Sequence, residues 1–123
     1  DVGKLINPEA AKGIIRGGMS MGLSLASREI SVYDDKCINK TTSLRNYKLL
    51  HIGQEPDYRV EFVETPEEKS PYGVRSYAEH GIIGMPAALG NALSAAFGKD
   101  FSSLPLTPEH IWQKMKEGTH DSV

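Results

Sequence analysis

The residues best placed to do chemistry lie in one short stretch, Ser70-Pro-Tyr-Gly-Val-Arg-Ser-Tyr-Ala-Glu-His-Gly-Ile-Ile-Gly84. It sets a carboxylate (Glu79), a guanidinium (Arg75) and an imidazole (His80) among glycines, just ahead of an apolar segment with helical periodicity. The start of a helix offers unpaired N–H groups and the positive end of the dipole, which suit anions and polarised oxygens. A carboxylate held there can act as a proton acceptor. It can equally cap the helix or pair with Arg75, and composition and spacing leave these readings open.

Other chemistries find little support. His51, His80, His110 and His120 have no second His or Cys at a metal-ligand spacing, so no metal site is expected. His110, in the first turn of a helix, and His120, in the polar tail, read as surface residues. Gly13-Ile-Ile-Arg-Gly-Gly lies inside a helical pattern and lacks the Lys-Ser/Thr ending of a phosphate loop. The single cysteine, Cys37, can form no internal disulfide, which fits a reducing, cytoplasmic setting. At 123 residues, net charge −2 and a pI near 6.1, the chain is one domain with no basic nucleic-acid footprint. No apolar run is long enough for a membrane helix. Asp1-Val-Gly reads as the end of a strand, which points to a piece of a longer polypeptide.

The elements that would position Glu79 can be laid out in order. Asn7-Pro-Glu opens a first helix running to about Arg28, with apolar rows at Ile14, Met21, Leu25 and at Ile15, Met19, Leu23. It contains Gly13, Gly17, Gly18 and Gly22. Each interior glycine costs about 0.5–1 kcal/mol relative to alanine, so close approach of another backbone or of a cofactor edge must offset the loss. Glu29–Tyr33 and Tyr58–Glu64 alternate as strands, and Asp34-Asp-Lys ends the first in a turn. Residues 37–54 read as a loop with a short extended piece near Tyr47–Leu50. A second helix spans Met85–Phe97, with Pro86 near its start and Gly98 just past its end. Thr107-Pro-Glu opens a third. The expected fold is α+β, a small mixed β-sheet packed by two to three helices.

Collinear blocks carry a resemblance. Asp1-Val-Gly-Lys-Leu-Ile-Asn-Pro followed by Gly13-Ile-Ile-Arg-Gly-Gly-Met-Ser-Met-Gly-Leu, then Tyr47-Lys-Leu with Val60-Glu-Phe-Val-Glu-Thr-Pro, and then Pro71-Tyr-Gly-Val-Arg-Ser-Tyr-Ala-Glu-His-Gly are similar to the C-terminal part of the molybdenum-binding large subunit of molybdenum hydroxylases, the xanthine dehydrogenase and aldehyde oxidase family. The ending Leu104-Pro-Leu-Thr-Pro-Glu fits as well. The resemblance implies that residues 1–116 are the C-terminal portion of a molybdopterin-binding domain and 117–123 a flexible tail. It implies a molybdenum–molybdopterin cofactor in the complete enzyme, oxidation of a purine, aldehyde or N-heterocycle, and Glu79 as the base that takes the proton from a metal-bound hydroxide. Ile14, Ser76, Tyr77 and Ala78 fall at cofactor-contact positions. The family's glutamine, which touches the pterin, is Ile14 here, and the usual Gly-x-Gly before the glutamate is Ser76-Tyr77-Ala78.

The implied partners are the rest of the molybdenum-binding chain, iron–sulfur and flavin subunits or domains, and a small-molecule substrate, with neither nucleic acid nor membrane. The isolated chain is expected to be inactive, to hold no cofactor and to self-associate through its helix faces. The alternative is a truncated or degenerate relative acting as a structural or interaction domain.

Overall fold

A computed structural model describes residues 1–117. The tail from 118 onward, including His120, lies outside the described residues. The element order is α1 (Pro8–Ser27), α2 (Leu44–Tyr47), a 3₁₀ turn (Pro71–Gly73), α3 (His80–Phe97) and α4 (Pro108–Lys116).

The helix starts follow local chemistry. Asn7 accepts a hydrogen bond on its side-chain oxygen from the Ala10 N–H at 3.0 Å, with Pro8 at the first helical position. Thr107 does the same for His110 at 3.2 Å, ahead of Pro108. Gly98 ends α3 in the left-handed region, φ 65°, where a side chain would be strained. At the other end of α4, the Lys99 ammonium donates to the carbonyls of Lys114 and Met115, both at 2.9 Å, and to that of Glu117, filling acceptors the helix leaves unpaired. Thr107→Ala is expected to cost about 1 kcal/mol, read as a lower melting temperature, because α4 would start with an unpaired donor.

The expected mixed β-sheet is not there. Helix takes 46% of the structure and strand 3%, and the described residues contain only isolated bridges, Gly3–Val74 and Tyr33–Asn39. Alternation specifies which faces a strand would show, but a strand also needs a neighbour to complete its ladder. Tyr58–Glu64 finds none: in this stretch only the Val63 carbonyl is bonded to another backbone, accepting from the Val2 N–H at 3.1 Å. Glu29–Tyr33 turns back on itself instead. Lys40 N–H donates to the Val32 carbonyl, and the Asp34 carboxylate accepts from the Lys36 and Ile38 N–H groups and pairs with Lys40 at 2.8 Å. The Lys40 side chain and these backbone donors hold the Asp34 carboxyl below its ordinary value.

Two further elements depart from expectation. The segment near Tyr47 is helical, because Ser43 caps α2 through the Asn46 N–H. The second expected helix begins at His80 rather than Met85, so Pro86 sits inside α3. Pro86 has no N–H for the Ile82 carbonyl four residues back. That oxygen lies against α1, 2.7 Å from where a Cβ on Gly22 would be.

This close approach defines the packing. Gly81 on α3 meets Gly18 on α1 backbone to backbone, and Gly22 meets Ile82 and Met85. Close backbone approach thus accounts for Gly18, which meets Gly81, and for Gly22, which meets Ile82. Gly13 and Gly17 have nothing within 4 Å. The fully buried apolar residues among those described are small or scattered: Val2, Ala11, Ala26, Phe101 and Leu106. Ile14, Met21 and Leu25, one row of α1, stay 46%, 53% and 41% exposed.

Candidate functional site

The stretch ahead of α3 is anchored from both sides. On its N-terminal side, Val2–Lys4 is sewn between two loops: Lys4 N–H donates to the Gly73 carbonyl at 2.7 Å and Arg75 N–H to the Val2 carbonyl at 2.9 Å. Gly3 adopts φ 65°, and a Cβ there would overlap the Gly73 carbonyl oxygen, so this seam requires glycine. On the other side, α3 is locked to α1 through Gly81, two residues after Glu79.

Glu79 occupies the cap position of α3 with αR backbone, φ −92° and ψ −8°. Its carbonyl accepts from the N–H groups of Ile82 and Ile83, so its backbone belongs to the helix start. Its side chain makes no capping bond. Arg75 does not pair with it: the guanidinium reaches Glu67 at 3.5 Å and Asp1 at 3.9 Å. The two structural uses open to this carboxylate, capping and pairing with Arg75, are therefore not taken up among the described residues. What remains is an exposed carboxylate on a rigid mount at the positive end of a helix dipole.

Beside it lies a cleft of about 390 Å³ between α1, the start of α3 and residues 60–62, lined by Ile15, Met19, Phe62, Tyr77, His80 and Gly84 among others. Of the residues expected near a cofactor, Tyr77 lines this cleft and is half-buried. Ser76 and Ala78 are exposed on the same turn but do not line it, and Ile14 is exposed on α1, where its neighbour Ile15 faces the cleft instead. Tyr77 and His80 thus line the cleft, Glu79 lies on the turn between them without lining it, and Ile14 does not line it. The cleft walls are mainly apolar, its charged lining residues include Asp1 and Glu61, and no Lys or Arg lines it. No cluster of His, Cys, Asp or Glu suited to a metal ion exists among the described residues. By donor chemistry this cleft does not fit a phosphate-bearing pterin: anionic walls repel the phosphate and few groups can bond the pterin edge. His110, expected at the surface, is half-buried and bonded through Nδ1 to the Pro105 carbonyl at 2.9 Å.

The larger concavity was not anticipated from the sequence. About 1150 Å³ in volume, it lies where α1, α2, α3 and α4 converge, floored by Leu23, Leu50, Leu89, Leu106 and Ile111. Its charged lining residues are Arg28, Arg45 and Lys48, joined by His51. One signal for it was present: residues 36–54 contain no Asp or Glu but hold Lys36, Lys40, Arg45 and Lys48.

No helix among the described residues is long and apolar enough to cross a membrane. Residues 1–56 match the model of the molybdopterin cofactor-binding domain. The chain is 36% identical over 115 residues to the putative xanthine dehydrogenase molybdenum-binding subunit XdhA of Escherichia coli (strain K12), covering 93% of this chain and 15% of that protein. It is 34% identical to the nicotine 6-hydroxylase large subunit of Paenarthrobacter nicotinovorans, covering 94% of this chain and 15% of that subunit. Its fold superposes on the crystal structure of quinoline 2-oxidoreductase from Pseudomonas putida 86 with a TM-score of 0.87 at 32% identity, over 95% of this chain and 15% of that one. The chain thus spans about 15% of the length of these two curated relatives. The two relatives and the solved structure match more than nine-tenths of the chain, and on these matches the chain belongs to the molybdenum-binding large-subunit family of the molybdenum hydroxylases.

Proposed function

We propose that this chain is the C-terminal portion of the cofactor-binding domain of a molybdenum hydroxylase, residues 1–116, and that it supplies the catalytic base, Glu79. The observation that carries this reading is the unused carboxylate: Glu79 neither caps α3 nor pairs with Arg75, yet it is fixed at both ends by the Gly3 seam and the Gly81 crossing. A side chain without a structural use, carried on a backbone anchored at both sides, is available for proton transfer. The base accepts the proton of the attacking oxygen as that oxygen bonds to an electron-poor carbon of the substrate. A molybdenum–molybdopterin group in the complete enzyme supplies the redox chemistry. Because the cleft beside Glu79 does not suit a pterin, residues outside this chain hold most of that group, and Tyr77 bounds the reaction space on this side.

The substrate class is a purine, an aldehyde or an N-heterocycle. The names of relatives, a xanthine dehydrogenase subunit, a nicotine hydroxylase and a quinoline oxidoreductase, support a flat nitrogen heterocycle. Relatives named as a large subunit, as subunit beta and as the gamma subunit of a dehydrogenase complex support assembly with further subunits, and to these we assign the iron–sulfur and flavin groups that carry the electrons away. We place the protein in the cytoplasm.

Ile14 favours a second reading, a relative that keeps the fold without catalysis, because an exposed apolar side chain stands where the family places a hydrogen-bonding glutamine. Metal and pterin analysis of the intact, matured protein separates the two. The catalytic reading expects about one molybdenum and one pterin per large subunit, with oxidation of an N-heterocycle. A fully matured protein without molybdenum would overturn it.

A further inference from the structure

The groove at the meeting of the four helices has no counterpart in the proposed proton-transfer site. Its floor is aliphatic, with Leu106 almost wholly buried at its base, while Leu44 on its lip is 70% exposed. Its charged rim is of one sign. Arg28, Arg45 and Lys48 line it, and no Asp or Glu does, in a chain whose net charge is −2. Among the described residues none of these cations forms an ion pair. Arg28 gives one N–H to the neutral Gln54 side chain at 2.8 Å and keeps its other donors. Glu29, next to Arg28, raises the pKa of the Tyr47 hydroxyl and is not among the lining residues. Like charges gathered around an aliphatic floor, with no acidic residue in the lining, repel one another, and an anionic partner relieves that repulsion.

We propose that this groove seats an acidic segment with aliphatic or aromatic anchors, contributed by a partner subunit. The volume of about 1150 Å³ exceeds the roughly 300–1,000 Å³ usual for small-molecule sites. An apolar centre with a charged, wet rim is the anatomy of a protein interface. The anchors cover Leu44 and Leu49, and the carboxylates meet Arg45 and Lys48. Rim charges of this kind act mainly on association rate and its salt dependence. The proposal rests on the multi-subunit reading above.

The test uses the assembled complex isolated from its source. A carbodiimide condenses a carboxylate with a lysine amine only when the two are in contact, and sequencing of the Lys48 peptides identifies the partner. The expected product is Lys48 joined to an Asp or Glu of a different polypeptide. In parallel, Arg45→Glu with Lys48→Glu should slow reassembly of the complex about 10-fold or more at low salt, with the difference shrinking toward 1 M salt, whereas Arg45→Lys should assemble normally. Lys48 joined to its own polypeptide or to a second copy overturns the proposal. So does a Lys48 that acylating reagents label equally in the complex and in the free large subunit, or unchanged reassembly of the double variant. Failure of the underlying reading looks different: a molybdenum-loaded protein with which no second polypeptide purifies.

Discussion

Glu79→Gln in the complete protein is expected to reduce turnover by about 10²–10⁴-fold, the range a positioned general base contributes. Glutamine keeps the size and polarity of the side chain and removes its ability to accept a proton. The fold has no reason to respond, since the Glu79 side chain makes neither a capping bond nor an ion pair with Arg75. Molybdenum and pterin content, melting temperature and substrate affinity should therefore stay near those of the parent while kcat falls. Turnover within about 3-fold of the parent would exclude a base role, because that is far less than any positioned base contributes. Loss of the cofactor together with activity would instead point to a structural role for the turn.

Gly81→Ala is expected to destabilise the protein strongly, against the rule that alanine is the better helix former. A Cβ at Gly81 would lie 2.5 Å from the Ile15 carbonyl oxygen, 2.9 Å from the Met19 nitrogen and 3.1 Å from the Gly18 carbonyl carbon. All of these are backbone atoms of α1, and a helix cannot yield locally as a long side chain can. Overpacking of this sort costs about 1–3 kcal/mol and sometimes more, which exceeds the roughly 1 kcal/mol that alanine gains by helix propensity. Gly84→Ala in the same helix is the internal control. A Cβ at Gly84 would meet nothing within 4 Å, so the propensity gain should survive as a melting temperature equal to or above that of the parent. Thermal unfolding followed by circular dichroism checks both. Equal behaviour of the two variants would mean that the crossing does not hold the helices together.

What could be read in advance followed the range of the forces involved. The starts of α1 and α4 were legible because a cap, a proline and an acidic residue act within one turn. The place of Glu79 at a helix start was legible too, though α3 begins five residues before the expected Met85. His80-Gly-Ile-Ile-Gly carries two glycines and precedes a proline, and local preference reads that as a turn. Contact with α1 overrides it, because Gly81 gives α3 the only surface flat enough to reach the Gly18 backbone. The sheet failed for the same reason in reverse. Alternation in Tyr58–Glu64 is a local property, but a ladder is a relation between segments, and no described segment completes one. The glycines of α1 look equivalent in sequence, yet Gly18 and Gly22 are packed against α3 while Gly13 and Gly17 are open, a distinction that exists only once α3 is in place. The cationic groove escaped notice because Arg28, Arg45 and Ile111 meet only after the helices assemble.

The crossing of α1 and α3 joins parts of the chain separated by residues 28–79, a span whose only helix is the short α2 and whose hairpin is irregular. Closing such a long span costs entropy that grows only with the logarithm of its length, about 0.6 kcal/mol per doubling. Extra residues placed at an exposed tip of it, such as the Gly53 turn with nothing within 4 Å, therefore weigh little on stability. The arrangement concentrates sequence constraint in the two helical faces and the Gly3 seam and leaves the stretch around Gly53 free to change length, so relatives can remodel whatever that stretch touches without disturbing the mount that holds Glu79.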